Sequence, residues 1–329
     1  PEVLLPMDFY RHAMLLQRKY AHGRQIDNCL QTNGTLLTDE WCQFLHDNNF
    51  LVGISIDGPQ DMHDTYRRDR HRQPSFQAVM RGVALLQKHG VEWNAMAAIS
   101  SANVERPVEF YRFFKEIGCH YLQFTPVVER FTSRTDRPML MPGTTEGGRL
   151  AHYSITPEQW GTFLCEVYDQ WVRNDVGTLF VQTFDATLAN WVGAPPGICS
   201  LSASCGNAAV MEADGTVYSC DHFVFPQFRL GNIATATVTE MLYGDSQRHF
   251  GQMKHEALPR QCHECHFLFA CHGECPRNRF VRDRYGQPMM NYLCRGYHRF
   301  FCHVAHDMDF MAAELMAGRP PANITKRKE

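Results

Sequence analysis

The 329-residue sequence has no dominant charge, no long apolar run and no repeat of fixed period. Lys and Arg number 32 against 35 Asp and Glu, so nothing in the balance points to nucleic acid or an anionic membrane as partner. No apolar stretch approaches the roughly 18 residues that a membrane span requires. The start, Pro1-Glu2-Val3-Leu4-Leu5, has neither an initiator Met nor the basic and apolar regions of a signal peptide. The expectation is therefore a cytoplasmic protein whose N-terminal portion is missing from this chain. With 44% hydrophobic residues the chain is neither disordered nor collagenous, and it is long enough to bury a sizeable core.

What is abundant is cysteine. Of 13 in all, Cys29, Cys42, Cys119 and Cys165 are scattered, while nine fall between Cys199 and Cys302. A disulfide scaffold fits poorly, because the chain is long, carries an odd number of thiols and lacks an export signal. Clustered thiols in a reducing compartment are instead expected to bind metal.

Helix-like and strand-like segments alternate through the first part. Asp8 to Tyr20 has one apolar face, Thr38 is placed to cap a helix through His46, and Phe76–His89 and Pro107–Ile117 are further helices stopped by Gly90 and Gly118. Between them Ile26–Gln31, Phe50–Ile56, Val91–Ile99 and His120–Val128 are predicted strands, the alternation of βαβ units with a parallel sheet. Residues 129–155 are expected to be a long loop, Thr156-Pro157-Glu158 opens a helix to about Arg173, and a last helix runs from about Tyr297 to Met316.

From Cys199 onward the spacing carries the chemistry. Cys199 and Cys205 precede Gly215 and Cys220, followed by Cys262-x2-Cys265-x5-Cys271-x3-Cys275 and then Cys294. These eight thiols suffice for two four-thiolate sites, which suit zinc or iron–sulfur clusters. His263, His266 and His272 lie among them as alternative zinc ligands. Asp214-Gly215 supplies a hairpin turn that brings Cys220 back towards Cys205.

The pattern Cys205-x9-Gly215-x4-Cys220, Cys262-x2-Cys265-x5-Cys271-x3-Cys275, Cys294 resembles the SPASM domain of radical S-adenosylmethionine (SAM) enzymes. Gln31-Thr32-Asn33-Gly34-Thr35, Ile54-Ser55-Ile56-Asp57-Gly58-Pro59, Ser219-Cys220-Asp221 and Cys275-Pro276-Arg277-Asn278-Arg279-Phe280 are similar to anaerobic sulfatase-maturating enzymes. The resemblance implies an α/β fold, a partial (β/α)6 radical SAM barrel that is N-terminally truncated here, followed by a Cys-rich auxiliary-cluster domain. The expected divisions are 1–128 for the partial barrel, 129–198 for a loop and linking helix, 199–300 for SPASM, and 301–329 for a C-terminal helix and tail.

It further implies two auxiliary [4Fe-4S] clusters, one on Cys199, Cys205, Cys220 and Cys275, the other on Cys262, Cys265, Cys271 and Cys294. Asp221 matches the acidic residue proposed as general base, and Ser55 and Leu122 match positions that contact SAM. Asn33 and Asp57 are expected near the same face. In that family a third cluster, bound by Cys-x3-Cys-x2-Cys, cleaves SAM to a 5′-deoxyadenosyl radical that oxidises a sulfatase Cys or Ser to Cα-formylglycine. The implied partners are a sulfatase polypeptide and an electron donor such as flavodoxin or ferredoxin, with no nucleic acid and no membrane.

Neither Cys-x3-Cys-x2-Cys nor the Gly-Gly-Glu segment of the family occurs among the 329 residues. The chain alone is therefore expected to bind auxiliary clusters without cleaving SAM, its sheet beginning at an exposed edge near Ile26. Two other functions fit the same residues: a SPASM maturase of a different peptide, or a metal-binding electron-transfer module with no chemistry of its own.

Overall fold

Alternation along the strands decides which side faces the helices. In Phe50–Ser55 (β2) Phe50, Val52 and Ile54 are buried, whereas Leu51 is exposed and Ser55 half-buried. The same alternation runs through Asn28–Thr32 (β1), Trp93–Ile99 (β3) and Tyr121–Pro126 (β4). The computed structural model describes residues 5–131 and 148–327. Its main sheet has five strands in the order β1-β2-β3-β4-β7, all paired in parallel. The last is Phe180–Val181 (β7), beside Tyr121 and Leu122 of β4. Two residues carry no periodicity, which is why four strands and not five were legible from the sequence.

The helices of this layer follow their local signals. Met7–Tyr20 (α1) precedes the sheet, and Asp39–Asp47 (α2) starts at Thr38, whose hydroxyl accepts from the Trp41 N–H at 3.2 Å. Gln60–Tyr66 (α3) is an unexpected short helix before Phe76–Lys88 (α4), and Pro107–Glu116 (α5) has its proline in the first turn.

Just past β2, Asp57 fastens the C-terminal ends of two strands. Its carboxylate accepts from Arg67 at 2.6 and 3.0 Å and from the Ala98 N–H at 2.8 Å, and Asn103 donates to its carbonyl at 2.9 Å. With the Asp57 side chain 11% exposed and that of Arg67 30%, the pair is partly screened. Asp57→Ala is expected to cost about 2–3 kcal/mol, read as a lower urea midpoint at unchanged slope. A change under about 0.5 kcal/mol would mean that the clamp is dispensable.

The chain divides into two units, Pro1–Val127 with Asp169–Thr183, and Val128–Tyr168 with Phe184–Glu329. Pro157–Asn174 (α6) and Gln182–Trp191 (α7) each span the division. In the second unit Arg130–Phe131 (β5) and Arg149–Leu150 (β6) pair antiparallel, so the expected loop is bounded by a strand pair; residues 132–147 of that loop lie outside the described residues. Val210–Met211 (β8), Thr216–Tyr218 (β9) and Arg229–Asn232 (β10) form an antiparallel sheet. The first two are joined by the Asp214-Gly215 turn, with Gly215 at φ +82°.

Short helices follow: Val238–Tyr243 (α8), Asp245–Glu256 (α9), Arg260–His263 (α10) and Leu268–Cys271 (α11). Arg279–Val281 (β11) pairs with Met290–Asn291 (β12), and Cys294–Met316 (α12) closes the unit. It packs on α6 at a glycine contact, where a Cβ on Gly296 would lie 2.3 Å from the Pro157 carbonyl oxygen. Only glycine permits that approach, two residues after Cys294. Among the described residues no helix is long and apolar enough to cross a membrane.

Candidate metal centre

Four of the eight cysteines share one cavity, and of the other four Cys199 lies within electrostatic reach of Cys205, Cys220 and Cys275. Cys262 lies within the single turn of α10, which leads directly to Cys265, whose N–H donates to the Cys262 carbonyl at 3.1 Å; Cys271 ends α11 and Cys294 opens α12. These four line one cavity of about 400 Å³. Burial pushes the Cys262 thiol up to about 11 and Cys294 up to about 12, and Cys271 is raised further by burial. The neighbouring thiols that add to these rises all belong to the same four.

Three of the other four are raised as well. Cys220 is pushed up to about 12, first by burial and then by Asp221 and Cys199, while Cys275 is raised by burial, Glu274, Cys205 and Cys199. Cys205 is raised by burial, with Cys199 again contributing. Thiols that resist ionisation in isolation become good ligands only once a metal supplies the compensating charge. All thirteen cysteines are free of disulfides.

Spacing tests which metal fits. A zinc tetrathiolate needs its sulfurs about 2.3 Å from one ion, hence about 3.8 Å from each other. Among the described residues, the single group of three or more potential ligand atoms within 4.8 Å of one another is Cys220, Asp221 and His222. No three of the eight thiols are that close, and a cavity of about 400 Å³ is more than one ion requires. The wider frame fits a four-iron cluster with one thiolate per corner. Of the histidines weighed as zinc ligands, His266 borders the same cavity.

Asp221 sits at the edge of the first group. It opens a 3-10 turn, Asp221–Phe223, and its side chain is 71% exposed. Cys220 Sγ donates to Asp221 Oδ1 at 3.2 Å. His222, not singled out from the sequence, lies with Nε2 4.0 Å from Asp221 and Nδ1 3.9 Å from Cys275 Sγ. Burial, followed by the charge of Arg277, holds its pKa below the usual value, favouring neutral imidazole; Arg277 is itself ion-paired with Glu129. The signal was available, since Ser219-Cys220-Asp221-His222 places imidazole, carboxylate and thiol in consecutive positions.

In the other unit the sheet register separates the two expected SAM contacts. Ser55, Met96 and Gln123 share one row, and all three are half-buried. Leu122 is in the next row with Ile54 and Ala95, and all are at most 1% exposed on the helix-covered face. Ser55 thus faces the opposite side of the sheet from Leu122, and the strand-four residue on Ser55's side is Gln123. Asn33 turns inward on its own loop, accepting from the Thr35 N–H and hydroxyl, and Asp57 is engaged in the clamp.

On Ser55's face, Gln31 Nε2 donates to Ser55 Oγ at 3.1 Å. Gly53, between Gln31 and Asn94 in the register, leaves room for them: a Cβ there would lie 2.0 Å from Gln31 Oε1 and 3.0 Å from Asn94 Oδ1. Asn94 Oδ1 is buried without a hydrogen-bond donor, an acceptor that a hydroxyl or amine of a bound SAM would satisfy. The residues of this face therefore fit that cofactor.

Comparison with known proteins agrees with both halves of this geometry. Residues 1–114 match the radical SAM superfamily, and residues 204–266 match SPASM, an iron-sulfur cluster-binding domain. This is a radical SAM protein with an auxiliary iron–sulfur domain. The chain is 58% identical to a serine-type anaerobic sulfatase-maturating enzyme of Bacteroides thetaiotaomicron, over 98% of this chain and 78% of the relative. It is 31% identical to a cysteine-type enzyme of Clostridium perfringens, over 91% of this chain and 78% of the relative. The solved structure of native anSMEcpe with bound AdoMet and Cp18Cys peptide superimposes with a TM-score of 0.82 at 29% identity, covering 95% of this chain and 83% of that one. The chain belongs to the anaerobic sulfatase-maturating enzyme family.

Proposed function

We propose that this protein matures sulfatases by oxidising a seryl side chain of the sulfatase polypeptide to Cα-formylglycine, with two auxiliary [4Fe-4S] clusters on the two cysteine groups. The observation that carries this reading is Asp221: an exposed carboxylate bonded to the Cys220 thiol at 3.2 Å, in a chain 58% identical to a serine-type enzyme. When bound, SAM and its cluster supply removal of a hydrogen atom from the substrate Cβ, and the auxiliary clusters supply the acceptor for the second electron.

The chain's own residues handle the proton. Asp221 accepts it from the substrate hydroxyl, so that loss of one hydrogen atom, one proton and one electron leaves the aldehyde. His222, beside the carboxylate and held neutral, adds no positive charge next to the base. Ser55 and Gln31 orient SAM from the open face of the sheet. Leu122, also matched to a SAM contact, would act from the helix-covered side by holding β4 in register. The electron donor is a flavodoxin or ferredoxin, and the free thiols suit the reducing cytoplasm.

The test is the full-length gene product, reconstituted anaerobically and incubated with SAM, reductant and paired sulfatase peptides carrying Ser or Cys at the target position. Aldehyde in the Ser peptide, formed at least as fast as in the Cys peptide, is expected by mass spectrometry. Aldehyde confined to the Cys peptide would overturn the serine assignment. Intact clusters with neither peptide modified would point to another substrate or to a non-catalytic module.

A further inference from the structure

Two cations lie buried in the auxiliary domain with no carboxylate of the described residues bonded to either. Arg279 is 0% exposed and Lys254 1%. Arg279 donates to the carbonyls of His272, Gly273 and Glu274 at 2.9–3.0 Å and to that of Lys254 at 2.5 Å. Lys254 Nζ donates to the carbonyls of Cys199 and Ser200 at 2.5 and 2.8 Å. The nearby carboxylate, Glu274, is engaged by Asn291 at 2.6 Å and Asn278 at 3.5 Å instead. Buried charges are ordinarily paired or serve a metal site, and the one carboxylate of the described residues within electrostatic reach of both cations, Glu274, leaves a second negative charge to be supplied.

The backbone they hold says where that charge lies. His272, Gly273 and Glu274, at φ 48°, 71° and 51°, are three consecutive left-handed residues. A non-glycine residue persists there only when its surroundings impose it. This loop joins Cys271 of one cysteine group to Cys275 of the other, and all three of its carbonyls point at Arg279. Through the Lys254 carbonyl and ammonium the same network continues to Cys199. Arg279 stands within electrostatic reach of Cys262 and Cys271 on one side and Cys275 on the other, and Lys254 within reach of Cys205 and Cys275.

We infer that Arg279 and Lys254 are positioning residues of the auxiliary centres: a buried cationic tie that fixes the Cys271–Cys275 crossover and the Cys199 loop, and that favours the reduced state of the adjacent clusters. The inference rests on the reading that the eight thiols hold two four-iron clusters. An all-cysteine cluster is anionic and becomes more so on reduction, so a fixed positive charge beside it raises its potential. Because the thiols within electrostatic reach of Lys254 are Cys205 and Cys275, its charge acts on one cluster, whereas Arg279 reaches thiols of both.

The test is anaerobic reconstitution of wild type, Arg279→Met, Arg279→Lys and Lys254→Met, with iron content, circular dichroism and a redox titration followed by electron paramagnetic resonance. Arg279→Met is expected to lose iron from both sites, and Arg279→Lys to retain more of it. Lys254→Met is expected to lose part of the iron of the first site while keeping that of the second, with the midpoint potential of the first-site cluster that remains moved to more negative values and the other in place. Wild-type potentials in Lys254→Met, or no more iron in Arg279→Lys than in Arg279→Met, would overturn the inference. Failure of the wild type itself to take up iron would instead remove the cluster reading, and this inference with it.

Discussion

Asp221→Asn is expected to lower the yield of formylglycine by about 100- to 10,000-fold, the range that a positioned general base contributes. The substitution keeps the size of the side chain and removes its ability to accept a proton. Asp221 bonds to Cys220 but lies outside the eight thiols, and its side chain is 71% exposed. Iron content and the iron–sulfur absorption should therefore stay at wild-type values. A merely structural Asp221 predicts the reverse, with iron lost and turnover per intact centre unchanged. The decisive measurement is aldehyde formed per reconstituted centre, followed by mass spectrometry on a sulfatase peptide, together with the iron assay on the same sample. Full aldehyde yield in Asp221→Asn would remove this residue as the base and would turn attention to His222.

Cys275→Ala is expected to have the larger effect on the protein itself. A cluster held by four thiolates loses a corner, and the site affected is the one beside Asp221. The left-handed loop His272-Gly273-Glu274 also ties Cys275 to Cys271 of the other group, so the damage spreads. Bound iron should fall to about half the wild-type value or lower. By contrast, substituting Cys42, which is fully buried in α2, should leave iron content unchanged. Iron assay and circular dichroism on the two variants distinguish these outcomes, and a Cys275→Ala protein with full iron would show that the partition into two groups is wrong.

Part of this site was legible in the order of residues. The spacing of the eight thiols is local chemistry, and the turn at Asp214-Gly215 is written in two adjacent residues. Helices such as α2 and α5 announce themselves through Thr38 and Pro107. The partition of the eight thiols is different in kind, because the spacing alone permits several groupings, and only the resemblance to a family singled out one of them. In the structure Cys271 and Cys275 are joined by three consecutive left-handed residues, of which only Gly273 favours that conformation.

At Leu122 the sequence carries a signal of its own. Tyr121-Leu122-Gln123-Phe124 alternates in polarity, and that alternation places Leu122 and Phe124 on the helix side and Gln123 on the side of Ser55. Arg279 and Lys254 show the opposite case. Nothing in a charged residue's local sequence announces that it will be fully buried, since burial is decided by carbonyls contributed from distant loops. The fifth strand was illegible for a simpler reason: Phe180 and Val181 are strand only because Tyr121 and Leu122 lie beside them.

The most direct test of the account is the metal content and spectrum of this chain after anaerobic reconstitution with iron and sulfide, with Mössbauer spectroscopy to identify the iron. Two [4Fe-4S] clusters, about eight iron and eight sulfide per chain, are predicted from two four-thiolate groups, with broad visible absorption that is lost on exposure to air. Stoichiometric zinc retained in place of iron, with no iron–sulfur absorption, would contradict it.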